Sequence, residues 1–198
     1  MAAKGKYTKQ DFEGLPYYLN PTLPDFRSET ELRKHVIRDT EYERFFQNLH
    51  TSLVLREKSR IQPPIMHYGF ALNRRMMDIA REKNLLRTIM VGCLPGVSPP
   101  KDAVWDPTAC TYFEPNWAQT AVTMVKHFRK RNPSKTFKPL AVWTLSEVRP
   151  FISITTNYDT SGLPDSEYMK SLLDFFGYES SKAPMWYIDG RCYNWNRM

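Results

Sequence analysis

The sequence predicts a mainly α fold: short amphipathic helices, a helical hairpin over about 41–90, long Pro- and aromatic-rich extended arms, and a small C-terminal β-hairpin. Three observations carry this expectation. Apolar residues recur at helical spacing in separate segments, most of them opened by a residue able to cap a helix. Fifteen prolines against eight glycines punctuate the stretches between those segments. Near the C-terminus an Asp-Gly pair lies between two β-prone runs. At 198 residues and 23.3 kDa the chain has the size of one domain, or one domain with arms. The expected organisation is an extended N-terminal arm over 1–27, a helical hairpin region over 28–92, a Pro-rich ordered loop over 93–116, and helices plus the C-terminal β-hairpin over 117–198.

The arm contains Gly14, Pro16, Pro21 and Pro24, which break any helix there. It also carries Tyr7, Phe12, Tyr17, Tyr18 and Phe26, more large rings than a free disordered tail would hold. These rings are expected to lie in a groove, and the five are candidate partner-binding residues.

Ser28 and Glu31 have the spacing of a capping box and open a helix over 29–38. Thr40 and Glu43 repeat the signal for a helix over 41–59, whose stripe is Tyr42, Phe45, Phe46, Leu49 and Leu53. Pro63-Pro64 ends it. The next helix is expected over 66–90, on the stripe Leu72, Met76, Ile79, Leu86 and Met90 with Lys83 as its one break. These two helices would form the hairpin, Phe45, Phe46 and Leu49 facing Met76, Ile79 or Leu86.

Residues 93–116 hold Pro95, Pro99, Pro100, Pro107 and Pro115 beside Val104, Trp105, Tyr112 and Phe113, so they read as an ordered loop. Asn116 caps a helix over 117–131 with the stripe Trp117, Ala121, Met124, Val125 and Phe128. Pro150 fits the start of a β-prone run from Phe151. Asp165 or Ser166 caps a helix over 166–176, with Gly177 after it. Asp189-Gly190 would supply the type I′ turn of the C-terminal hairpin.

The net charge is +7, and its distribution is uneven. Residues 101–138 carry +4, and residues 139–198 carry −2. Lys126, Arg129, Lys130, Arg131, Lys135 and Lys138 follow one another with no acid between them. Cations also favour a helix C-terminus for the fold's own sake, so this run has a structural use as well as a binding one. Lys126, Arg129, Lys130 and Arg131 complete the set of candidate partner-binding residues.

Known catalytic patterns are missing from the sequence. It has no glycine-rich phosphate loop, no nucleophile elbow and no zinc-protease helix. His35, His50, His67 and His127 lack the spacing of two ligands on one helix face. Cys93, Cys110 and Cys192 are odd in number and far apart, so they read as reduced thiols. His127 sits among cations that oppose its protonation. No apolar run is long enough for a membrane-spanning helix, and the N-terminus lacks the apolar core of a secretory signal.

Long aromatic arms between short helices suit a chain that buries them on neighbours. The expected function is therefore that of a non-catalytic, structural accessory subunit of a large multi-protein assembly. It would need no catalytic residue, no metal, no cofactor and no small-molecule substrate. The host ranked first is a mitochondrial respiratory or ATP-synthase complex, joined peripherally. A ribonucleoprotein such as an organellar ribosome, using Lys126–Lys138, and a ciliary microtubule lattice are the alternatives. Its partners would be other protein subunits, with anionic lipid head groups or RNA phosphates as the other surfaces that suit the cations. The expected location is mitochondrial, otherwise cytosolic or ciliary, and not secreted.

Overall fold

A computed structural model describes residues 3–4, 6–22, 28–38, 47–57, 59–92, 104–106, 108, 111–134, 136–144, 150–159, 163–178 and 184–197. In chain order the strands are β1 (Ala3–Lys4), β2 (Arg56–Glu57), β3 (Ile61–Gln62), β4 (Met66–Ala71), β5 (Thr88–Gly92), β6 (Val104–Asp106), β7 (Thr111–Pro115), β8 (Leu140–Val142), β9 (Phe151–Thr156), β10 (Met185–Ile188) and β11 (Asn196–Arg197). The α-helices are α1 (Glu29–Arg38), α2 (Arg74–Glu82), α3 (Trp117–Arg131) and α4 (Ser166–Phe176). Strands β10–β4–β9–β8 form an antiparallel sheet, and β5–β7–β6 form a second one.

The fold is therefore mixed α and β, not mainly α. Among the described residues the helical hairpin over 41–90 is not formed. Within its second arm only Arg74–Glu82 is helical, between strands Met66–Ala71 and Thr88–Gly92. β4 is covered on both faces, so it lacks the polar alternation that marks a half-buried strand. Helix α2 has sharp local limits that the apolar spacing runs through: Asn73 Oδ1 accepts from Met76 N at 3.0 Å, and Asn84 turns the chain at φ +56°. In the first arm, 39–46 lie outside the described residues. The following stretch is a 3₁₀ turn, Thr51–Leu53, capped by His50, and then β2. Leu49 packs beside Leu53 in the cluster under the arm, away from Met76, Ile79 and Leu86.

The C-terminal β-hairpin is also absent. β10 pairs with β4, and β11 pairs with β3. Asp189 Oδ1 accepts from Arg191 N at 2.7 Å and from Cys192 N at 2.6 Å, so the side chain closes an Asx turn that redirects the strand. Gly190 keeps a φ that any residue can adopt. The loop over 93–116 holds two strands, β6 and β7, and its residues 93–103 are outside the described ones.

Other elements match the local signals. Ser28 Oγ accepts from Glu31 N at 3.2 Å, Asn116 Oδ1 from Gln119 N at 2.9 Å, and Asp165 Oδ1 from Tyr168 N at 2.8 Å. Gly177, at φ +65°, ends α4.

Two apolar clusters flank the four-stranded sheet. Phe70, Ile152 and Ile154 pack under α2, α3 and α4, against Met76, Met124, Phe128, Leu172 and Phe176. Met66, Trp186 and Ile188 pack under the N-terminal arm, against Phe12, Tyr18, Leu19, Leu32 and Trp195. The register shifts at Tyr68/Gly69. There a Cβ on Gly69 would stand 1.9 Å from the Ile152 carbonyl oxygen, a backbone atom that cannot step aside. Gly69→Ala is expected to cost about 3 kcal/mol or more in chemical denaturation. A change under about 0.5 kcal/mol would contradict this close approach.

Candidate functional site

β8 and β10 are opposite edges of the four-stranded sheet, yet Thr144, just beyond β8, bridges Asp189, just beyond β10. Gly190 N also donates to Trp143 O at 3.0 Å. The edges are thus drawn together at the Asp189 turn, and a polar chain runs inward from it. His67 Nε2 lies 2.8 Å from Asp189 Oδ2, and His67 Nδ1 lies 2.9 Å from Ser153 Oγ. A carboxylate only accepts, so His67 Nε2 carries the proton of its hydrogen bond to Asp189. Burial of Asp189 works to raise its pKa. Hydrogen bonds from His67, Cys192 N and Arg191 N outweigh that and hold the carboxyl below the usual carboxylate range.

Serine, histidine and aspartate in sequence raise the question of nucleophilic catalysis. Ser153 is only 3% exposed, in the body of β9, and its Oγ also lies 3.3 Å from the Thr155 carbonyl. A substrate carbonyl has no approach to this hydroxyl. The chain instead ties the Asp189 turn to β4 and β9. A depressed carboxyl pKa contributes stability that is present above the ordinary carboxylate pKa and lost as pH falls through the folded value. Asp189→Asn keeps a hydrogen bond if the imidazole takes the other tautomer, so its stability should fall less than the wild type's between about pH 5 and pH 3. Asp189→Ala leaves His67 Nε2 without its partner and should cost about 1–3 kcal/mol at neutral pH. Equal acid sensitivity of wild type and Asp189→Asn in urea titrations would contradict this account.

The arm forms a second constellation. Tyr7 OH donates to Val54 O at 2.8 Å, and Trp195 Nε1 donates to Leu19 O at 2.7 Å. Tyr7, Phe12 and Trp195 pack ring to ring with centroids 5.4–5.7 Å apart. The Arg56 guanidinium lies 4.4 Å over the Tyr7 ring and pairs with Asp11. Burial pushes the Tyr7 phenol up to about 12, against the opposing pull of Arg56. Arg56 and the Thr8 hydrogen bonds hold the Asp11 carboxyl well below its usual range. Of the five arm rings proposed to bind partners, Phe12 and Tyr18 are buried in this chain, Tyr7 is half-buried, and Tyr17 is exposed beside His35. Phe26 lies outside the described residues.

The basic set is brought together as its helical spacing implies. Lys126, Arg129, Lys130 and Arg131 are all exposed along the second half of α3, while Ala121, Met124, Val125 and Phe128 fill its buried face. None of the four pairs with a carboxylate among the described residues. Lys83 of the α2 C-cap joins them around His127, which stacks on Phe175. Burial, then Arg131, Lys130 and Lys83, lower the His127 pKa. Lys135 lies outside the described residues.

Among the described residues no three His, Cys, Asp or Glu side chains converge as metal ligands, and no helix is long and apolar enough to cross a membrane. No protein family, curated protein or solved structure matches this chain. The His67–Asp189 contact joins residues 122 positions apart, and no local pattern in the sequence signals it. The exposed strand β5 was also not legible, because its apolar residues continue the spacing of α2.

Proposed function

We propose that this chain is a non-catalytic subunit that braces neighbouring proteins in a larger assembly, docking by the basic end of α3 on an acidic protein surface. The observation that carries the proposal is the exposed set Lys126, Arg129, Lys130 and Arg131, free of described carboxylates and outside the buried face of α3. Helix-dipole compensation accounts for cations in the last turn, where each is worth about 0.3–1 kcal/mol. Lys126 lies before that turn, and Lys83 comes from another helix, so the positive surface extends beyond what the dipole asks for. The host we propose is a mitochondrial respiratory or ATP-synthase complex, joined at its periphery.

The test is the double variant Lys130→Glu/Arg131→Glu, compared with wild type in native co-purification across a range of salt. Thermal stability should change by about 1 kcal/mol or less, since these charges are exposed and only Arg131 opposes the dipole directly. Incorporation into the assembly should fall, most strongly at low salt, where screening is weakest. Normal incorporation at every salt concentration would leave the cations with the helix-end role alone. Steep salt-dependent binding of RNA by the wild type, lost in the variant, would assign them to phosphates instead.

A further inference from the structure

We propose that β5 is a self-pairing edge, through which two copies of this chain join in antiparallel register to form one continuous six-stranded sheet. β5 pairs with β7 through five consecutive positions, and among the described residues no strand pairs with its other side. Exposed edges are normally blunted by a charge, a proline or a bulge. Thr88-Ile89-Met90-Val91-Gly92 has none of these.

Large apolar side chains are exposed on both faces of the edge. Met90 is 61% exposed and stands opposite Phe113, itself 42% exposed. Ile89 is 46% exposed and points to the other face, since successive strand residues alternate. An element laid on one face would leave the other open. A strand added at the edge brings side chains beside both faces at once.

The pattern of β5 favours a second copy as that strand. Run antiparallel against itself about Met90, it sets Ile89 opposite Val91 and Thr88 opposite Gly92. Each apolar residue meets an apolar one, no charge meets a like charge, and the symmetry closes at two copies. Repulsion from the +7 net charge is not focused here. Strands β5 and β7 contain only Glu114 as a charged residue. Asn116 N donates to Arg87 O at 2.7 Å and Arg87 N donates to Thr120 Oγ1 at 2.9 Å, which fixes the root of β5 to the start of α3. The basic turn lies at the far end of that helix, about 20 Å away, beyond a Debye length of about 8 Å at physiological salt.

A five-residue edge is smaller than a standard-size interface, so association should depend on concentration. Sedimentation equilibrium of the full chain from about 5 µM to about 500 µM should show the mass rising from 23.3 kDa toward twice that value. Amide exchange at Thr88–Gly92 should slow over the same range. Met90→Lys, which sets two lysines face to face on the axis, should weaken dimerisation about tenfold or more, while Met90→Leu should retain it. Circular dichroism and thermal unfolding should be unchanged in both variants, because Met90 is exposed. A wild type that stays monomeric throughout, a dimer insensitive to Met90→Lys, or a dimer without protection of the β5 amides would overturn self-pairing. None of these results bears on docking through α3, which the Lys130 and Arg131 variants read separately.

Discussion

Asn157→Ala is expected to destabilise the protein by about 3–6 kcal/mol. Asn157 is buried, and every polar atom of its side chain is used inside the molecule. Oδ1 accepts from Met66 N at 2.7 Å, and Nδ2 donates to Leu53 O at 2.6 Å and to Pro64 O at 2.9 Å. Its own N–H donates to Met66 O at 3.1 Å. One amide thus joins the 3₁₀ turn under the arm, the Pro63-Pro64 segment and the start of β4. Truncation leaves three backbone groups without their partner, at about 1–3 kcal/mol for each buried group left unmet. A small domain has only about 5–15 kcal/mol in total, so the variant should be near its folding limit. Asn157→Asp tests the donors alone: the shape is kept, but two donated bonds become contacts between oxygens. It should also be strongly destabilising. Guanidinium denaturation gives both values, and a loss under about 1 kcal/mol for the alanine variant would mean that water enters and replaces the amide.

Phe128→Ala should cost about 3–5 kcal/mol. The ring is fully buried at the centre of the helical cluster, with centroids 5.8 Å from Tyr168, 5.3 Å from Phe175 and 6.1 Å from Phe176. Partners from α4 surround it, so the space left on truncation cannot close without moving that helix. Val122→Ala, on the exposed side of the same α3, is the control and should stay within about 0.5 kcal/mol of wild type. A cost for Phe128→Ala near the control's would contradict the packing of α4 on α3.

What was legible in the sequence is what local chemistry decides. Ser28, Asn116 and Asp165 each cap a helix through a side chain three residues from its partner, and Gly177 ends one through its own backbone. Those helices stand where the signals put them, and so does β9 after Pro150. The hairpin failed because hydrophobic spacing cannot tell a covered strand from a helix. Leu72 and Leu85 flank α2 as core residues, and Met90 extends the same spacing into an exposed strand. Pro63-Pro64 reads in the sequence as the end of a helix, and in the fold it is an acceptor site. The Pro63 carbonyl takes the Tyr158 hydroxyl at 2.6 Å, and the Pro64 carbonyl takes Asn157. Contacts of that kind, like His67 with Asp189, join residues about a hundred positions apart and depend on the finished sheet. The basic end of α3 was legible because one helix carries all four cations, whereas the self-complementary edge of β5 needed the strand to be known first.

The most direct measurement of the central claim is the native mass of the protein in a gentle extract of its source, read by size fractionation with identification of co-migrating proteins. As a bracing subunit it should run in a complex many times its own 23.3 kDa, with cross-links from Lys126 or Lys130 to an acidic segment of a neighbour. Migration at the mass of one or two copies, with no co-migrating protein and no such cross-link, would contradict the claim.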